Sequence, residues 1–209
     1  MDALLPLLSI VAAIAIGAAS PGPSFVLVAR IAVADRRASG IAAALGMGLG
    51  GVAFASLALA GLIALLTRVE WLYLGLRVAG GGYLLYLAWR LWRGAGQPLA
   101  LGGATERPRS LRRAFVLGLV TQLSNPKTAV VYAGIFAALL PVAPPLWLAL
   151  VLPPLIFCVE CGWYCIVATA FSAARPRAAY LRGKGWIDRL AGGVMGLLGL
   201  RLIAGSLRG

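Results

Sequence analysis

The chain has 209 residues, 61% of them hydrophobic and 12% charged. A water-soluble domain is about half apolar and about a quarter charged, so the surplus apolar surface calls for a bilayer as solvent and excludes a large soluble domain. The formal net charge is +13, from 19 Lys and Arg against 6 Asp and Glu; the basic residues fall between apolar runs, which suits anionic lipid headgroups and the positive-inside rule and argues against nucleic acid as a partner.

A membrane-spanning helix takes about 20 mostly apolar residues, and six such stretches follow one another. The first runs from about Ala3 to Ala29. Basic residues follow it and none precedes it, the reverse of a secretory signal, so it reads as a retained helix entering from outside. Within it stands Ser20-Pro21-Gly22-Pro23-Ser24. Two prolines lack the backbone N–H that a helix needs, and Gly22 adds freedom between them, so a break is expected here. The second stretch, about Ile41 to Leu66, carries Gly46-x-x-x-Gly50. That spacing suits close helix packing, and small residues there also leave room for a cavity. The third is about Trp71 to Leu91. A segment of about residues 93–113, rich in Gly, Pro and Arg, then divides the chain into two sets of three.

The fourth stretch, about Ala114 to Leu140, holds Gln122 and a second interruption, Ser124-Asn125-Pro126-Lys127-Thr128. The fifth, about Trp147 to Phe171, holds Glu160 and the three cysteines, Cys158, Cys161 and Cys165. The sixth is about Leu190 to Leu207. Fourteen of the 19 basic residues fall after, or at the very end of, the first, third and fifth stretches. Lys and Arg bias sets orientation, so those segments are expected to be cytoplasmic and both termini outside. The fold expected is all-α and polytopic, a single domain of six transmembrane helices. Three helices per half is an odd number, so repeat one (about 1–92) and repeat two (about 114–209) insert in opposite senses, an architecture of secondary transporters.

The two breaks stand in the first helix of each half, about a hundred residues apart. Unwound backbone is tolerated at membrane depth only where protein or a water-filled cavity satisfies it. Matching interruptions in two halves are the best sequence pointer to a transport site. The alternative is a pair of structural proline kinks. Freed N–H groups and half-helix N-termini suit a carboxylate, and freed carbonyls suit a cation. Charges near the bilayer centre are costly and usually mark ion or substrate paths. Lys127 is thus a candidate for a substrate carboxylate, and Glu160 for a substrate ammonium or a proton; a purely structural pair is the rival reading. Gln122 and Asn125 either bind substrate or satisfy the freed backbone. Candidate substrate-binding residues are therefore Pro21, Gly22, Pro23, Ser24, Gly46, Gly50, Gln122, Asn125, Pro126 and Lys127, with Glu160 for ion coupling.

Other chemistry has little support. The chain has no His, which removes the commonest metal ligand and the usual general base. It has no GxxxxGK[ST] loop for ATP phosphates. No catalytic residue, metal or cofactor is indicated. Cys158-Val-Glu-Cys161 reads as a CxxC and raises an alternative function, a membrane thiol–disulfide electron carrier; packing by small buried residues is the simpler account. A helper subunit of a larger membrane complex would have no need of two opened helices.

These motifs, in this order, resemble the amino-acid exporters of the LysE/RhtB type, the lysine and homoserine/threonine exporters. Ser20 to Pro23 is similar to the family's PGP motif, and Ala43 through Gly50 to its glycine-rich second helix. Asn125-Pro126-Lys127 is similar to its NPK motif, and Trp186 to Arg201 to its closing helix. The resemblance implies a bacterial inner-membrane exporter of amino acids, driven by the proton gradient, with both breaks on the transport pathway. The family often has an acidic residue after the second-helix glycines, where this chain has Gly51. Glu160 is then the remaining mid-membrane carboxylate and the candidate proton carrier. A small zwitterion such as threonine or homoserine matches one cation and one anion. Homo-oligomerisation is left open.

Overall fold

A computed structural model of the chain describes residues 3–68, 70–97, 110–141 and 143–206, of which 62–68, 70–73, 76 and 77 are described as backbone alone. The described residues form eight α-helices and no strand: α1 (Leu4–Ala19), α2 (Pro23–Ala34), α3 (Arg37–Arg68), α4 (Glu70–Gly94), α5 (Leu111–Leu123), α6 (Pro126–Leu139), α7 (Leu146–Phe171) and α8 (Ala174–Ser206). Part of the segment between the halves, with Arg107 and Arg109, lies outside the described residues.

Both expected breaks are present. α1 stops at Ala19 because Ser20 precedes a proline and is held extended, with ψ 128°. Gly22 is extended as well, and Pro23 opens α2 at its first turn, where a missing N–H costs nothing. The two half-helices meet at a bend of 55°. The second break repeats the device. Asn125 is extended ahead of Pro126, which opens α6, and its side chain caps the new helix by accepting from the Lys127 N–H at 3.0 Å.

Two expected boundaries move. The first stretch continues to Ala34, beyond Ala29, as α2. The sixth was expected from Leu190, with Arg175, Arg177, Arg182, Lys184 and Arg189 in a loop; these residues instead lie on the first half of α8, which starts at Ala174. An apolar run marks where a helix is buried in lipid, not where it begins, and Ala, Arg, Leu and Lys are good helix formers in any solvent. Among the described residues, α7 and the Arg37–Gly61 part of α3 are long and apolar enough to cross a membrane, and the bent α1–α2 pair makes a third such span. Half-helices are short by themselves, and the charged first half of α8 dilutes its apolar end.

The outer surface is oily. Leu5, Leu57, Leu146, Leu150, Ile166, Leu197 and Leu200 are all more than half exposed, an arrangement water would not tolerate over so wide an area. Inside, two apolar clusters form. One gathers Ile10 and Ile14 of α1, Ile135 and Phe136 of α6, Leu152 and Ile156 of α7, and Leu202 of α8. The other gathers Phe25 and Val28 of α2, Met47 of α3, and Tyr164, Val167 and Phe171 of α7. The helix breaks lie between them.

Helix pairs pack in a recurring scheme. α3 packs on α7 and α4 on α8; α1 packs on α6 and α2 on α5; α2 packs on α7 and α3 on α6. The closest approach uses glycine notches. A Cβ on Gly46 would run into the backbone of Phe115 and Leu119, and one on Gly118 into the backbone of Ala43. α3 and α5 therefore touch backbone to backbone, as small residues in membrane helices allow.

Candidate functional site at the meeting of two helix breaks

The breaks come together at the centre of the molecule, and each supplies what the other lacks. α1 ends in carbonyls without intrahelical donors. The Lys127 ammonium, from the start of α6, donates to Ser20 O at 3.1 Å and Gly17 O at 3.4 Å. A cation at a helix C-terminus also opposes its dipole. Tyr180 of α8 donates to Ala19 O at 3.4 Å, its ring stacked on Phe25 with centroids 4.9 Å apart. The Lys127 stem lies against Gly22, where a Cβ would come within 3.3 Å of its Cδ. Gly22 thus leaves the space that Lys127 crosses to reach α1.

A buried chain of hydrogen bonds joins the halves. Asn125 Nδ2 donates to Ser24 Oγ at 2.9 Å, and Ser24 donates to Gln122 Oε1 at 2.6 Å. Gln122 Nε2 donates to Glu160 Oε2 at 3.2 Å, and the Tyr132 hydroxyl donates to Glu160 Oε1 at 2.9 Å. Ser24, Gln122, Asn125 and Glu160 are all buried. Each polar group finds a partner, as burial in a low-dielectric interior demands. Gly50 has a part in this, because its missing Cβ makes room for the Gln122 stem, 2.6 Å from where that Cβ would stand.

Lys127 and Glu160 do not bond to each other. They line one small cavity, with Gly17, Ser20, Gly22, Ser24, Asn125, Thr128, Tyr132 and Tyr164 around it. Its volume is about 20 Å³, room for about one water. The Ser20 hydroxyl there is buried and has no partner. A second cavity, about 550 Å³, opens on the other side of the breaks. Pro21, Gly22, Pro23, Asn125, Pro126 and Lys127 line it, together with Arg30, Arg90, Lys184 and Asp188. Gly22, Asn125 and Lys127 belong to both linings. The breaks are thus the partition between an inner chamber and an outer vestibule.

The arrangement sorts the candidate residues. Pro21, Gly22, Pro23, Ser24, Asn125, Pro126, Lys127 and Glu160 face one or both cavities. Gln122 stands behind Ser24 and Glu160 and ties them together. Gly46 and Gly50 line neither cavity; both are filled by α5. Gly51 packs against the site, since a Cβ there would stand 3.0 Å from the Tyr132 hydroxyl and 3.1 Å from Glu160 Cγ. Tyr132 and Tyr164 enter the site without having been singled out, because a lone Tyr in an apolar helix carries no distinctive spacing; Ser20 was read as part of the first break but not as a binding residue. The pairing of Lys184 with Asp188 was legible as opposite charges at i, i+4.

None of the three cysteines is the small buried packing residue expected, since Cys161 and Cys165 are only half-buried. Cys158 is exposed, and Cys161 Sγ lies nearest Cys165 Sγ, at 3.9 Å, one helical turn on. Residues three apart on a helix hold their Cβ atoms about 5–6 Å apart, beyond the roughly 3.5–4.5 Å of a disulfide. Cys161 also fills the notch at Gly48, its Cβ 2.9 Å from where a Cβ on that glycine would lie.

The helical fold, with its apolar outer surface and two broken helices, is that of a membrane protein, and the chain belongs to the LysE type translocator family, whose model matches residues 15–206. The chain is 32% identical over 186 residues to the uncharacterized membrane protein YahN of Escherichia coli K12, covering 88% of this chain and 82% of that one. It is 30% identical over 186 residues to the threonine efflux protein of the same strain, covering 88% and 90%. A threonine efflux protein of Salmonella typhi is 31% identical over the same shares. No solved structure matches significantly.

Proposed function

We propose that the chain exports a small neutral or polar amino acid, of the size and polarity of threonine or homoserine, across the bacterial inner membrane in exchange for protons. The observation that carries this reading is the inner chamber, which sets one ammonium, Lys127, and one carboxyl, Glu160, on the same buried cavity at the junction of two helix breaks. The substrate carboxylate competes with the α1 carbonyls for the Lys127 ammonium, and α2 and α6 add their N-terminal N–H groups. Ser20 and Ser24 offer hydroxyls for a polar side chain. The threonine efflux relatives support the substrate class.

Glu160 is the proton carrier in this reading. Protonation removes the charge that Tyr132 and Gln122 solvate, so it loosens the chain of bonds holding the breaks together. The chamber is too small for an amino acid as it stands, so the breaks must part before substrate enters. This is the step that proton binding would drive.

The chain forms six spans in two inverted repeats: α1–α2, α3 and α4 against α5–α6, α7 and α8. Part of the packing supports the repeat: exchanging the halves turns α1·α6 into α5·α2 and α2·α7 into α6·α3 and leaves α3·α7 and α4·α8 unchanged, whereas α4·α6 and α1·α8 have no packed counterpart among the described residues. The ends bearing Arg30, Arg90 and Lys184 converge on the vestibule, and the positive-inside rule puts that side in the cytoplasm. The structure then corresponds to a state loading substrate from inside.

Efflux from proteoliposomes loaded with radiolabelled threonine, with an imposed pH gradient, tests this. Wild-type protein should export faster with the gradient than without it. Glu160→Gln should lose that acceleration, by about tenfold or more, the scale of one essential charged hydrogen-bond partner. An acceleration that survives in the variant sinks the assignment of the proton to Glu160.

A further inference from the structure

Asp188 is out of place. It lies on α8, outside the chain of bonds at the breaks, and only 3% of its surface is exposed. One carboxylate oxygen, Oδ2, pairs with Lys184 Nζ at 2.6 Å. The other, Oδ1, is buried and has no hydrogen-bond partner among the described residues. Such an orphan is costly, since a buried carboxylate needs its lone pairs met. Lys184 also donates to Gly94 O at 3.2 Å, holding α8 to the C-terminus of α4. The same aspartate lines the vestibule of about 550 Å³, whose other charged lining residues are Arg30, Arg90, Lys127 and Lys184. Four cations and one carboxylate with a vacant oxygen thus surround a space large enough for an amino acid.

We propose that the vestibule is a second, outer binding site for an α-amino acid zwitterion, in which Asp188 Oδ1 receives the α-ammonium and Arg30 and Arg90 receive the α-carboxylate. The inference rests on the reading of the chain as an amino-acid exporter, and it adds a loading station ahead of the inner chamber. The surplus of positive charge draws the carboxylate end inward along the path to Lys127, which lines both cavities. Asp188 fixes the other end, so a ligand without an ammonium is held poorly. Only hydrogen bonds and ion pairs form; no covalent step is involved.

Calorimetric titration of the purified protein in lipid nanodiscs with L-threonine tests the site. Wild-type protein should show two classes of binding site. Asp188→Asn should remove one class or weaken it about tenfold or more, the effect of losing one charge-assisted hydrogen bond. Because that change leaves Lys184 buried without its counter-charge, Lys184→Gln with Asp188→Asn should be titrated alongside; the pair stays neutral and should show the same loss. N-acetyl-L-threonine, which lacks the ammonium, should fail to displace threonine from the affected class on the wild-type protein. Unaltered isotherms in both variants, or displacement by N-acetylthreonine as good as by threonine, overturn the outer site and leave the exporter reading standing. If neither threonine nor any other amino acid binds the wild-type protein, both readings fall together.

Discussion

Lys127 shows how one ammonium can serve two helices. It stands in the first turn of α6, yet its Nζ reaches the last carbonyls of α1, crossing the gap that Gly22 leaves open. Replacing it with Met keeps the stem and removes the charge. Lys127→Met should cost about 1.5–3 kcal/mol of stability, as charged hydrogen bonds do, read as a lower melting temperature in detergent. It should also cut threonine efflux by about tenfold or more; full efflux would show that the ammonium only caps α1. Gly51 supports a different kind of test. A Cβ at 51 would already touch Tyr132 and Glu160, so a carboxyl placed there stands beside the same pocket. In the Glu160→Gln background, Gly51→Asp should restore part of the response to the pH gradient. Its new Cβ stands in tight contact, 3.0 Å from the Tyr132 hydroxyl and 3.1 Å from Cγ of residue 160, which the glutamine at 160 and the Tyr132 ring must relieve by shifting. No recovery in a well-folded double variant would mean that the carboxyl must sit on α7.

At the scale of the element, each broken helix is made by a proline at the first turn of its second half, with an extended residue before it. The glycines differ in what they do, although the sequence presents them alike. Gly118 and Gly46 lie where α3 and α5 meet backbone to backbone, whereas Gly61 of α3 has no described residue within 4 Å of where a Cβ would stand. Gly118→Val should therefore push the helices apart and destabilise by about 1–3 kcal/mol or more, seen as poor yield of folded protein. Gly61→Ala should be neutral or stabilising by about 0.4–1 kcal/mol, because alanine restricts the unfolded chain and favours the helix. If the two variants melt alike, the notch between α3 and α5 is not as close as described. The sequence showed the Gly46-x-x-x-Gly50 spacing, but a role in lining a cavity is not what the packing favours. Spacing shows which residues share a face, and only the neighbour shows whether that face meets a helix or a void.

For the whole molecule, the basic residues that alternate along the chain gather in space. Arg30 of α2, Arg90 of α4 and Lys184 of α8 lie around one vestibule, which fits a single cytoplasmic face. A cysteine introduced at Gln97, beside that vestibule, in a Cys-free background should react with a membrane-impermeant maleimide only in inside-out vesicles. One introduced at Ala143, exposed between α6 and α7, should react in whole cells. The opposite pattern would reverse the orientation and, with it, the reading of the vestibule as a loading side.

The sequence by itself determined the solvent, the two breaks and the family. An apolar surplus, a proline at membrane depth and an ordered set of motifs are local facts, fixed by hydration and by backbone hydrogen bonding. Only the tertiary structure decided that Ser24, Gln122, Asn125, Tyr132 and Glu160 form one buried chain of bonds, and that Lys127 turns to α1 rather than to Glu160. Those partners lie up to about a hundred residues apart, and buried polar groups choose among distant neighbours by distance and direction, which no local pattern records.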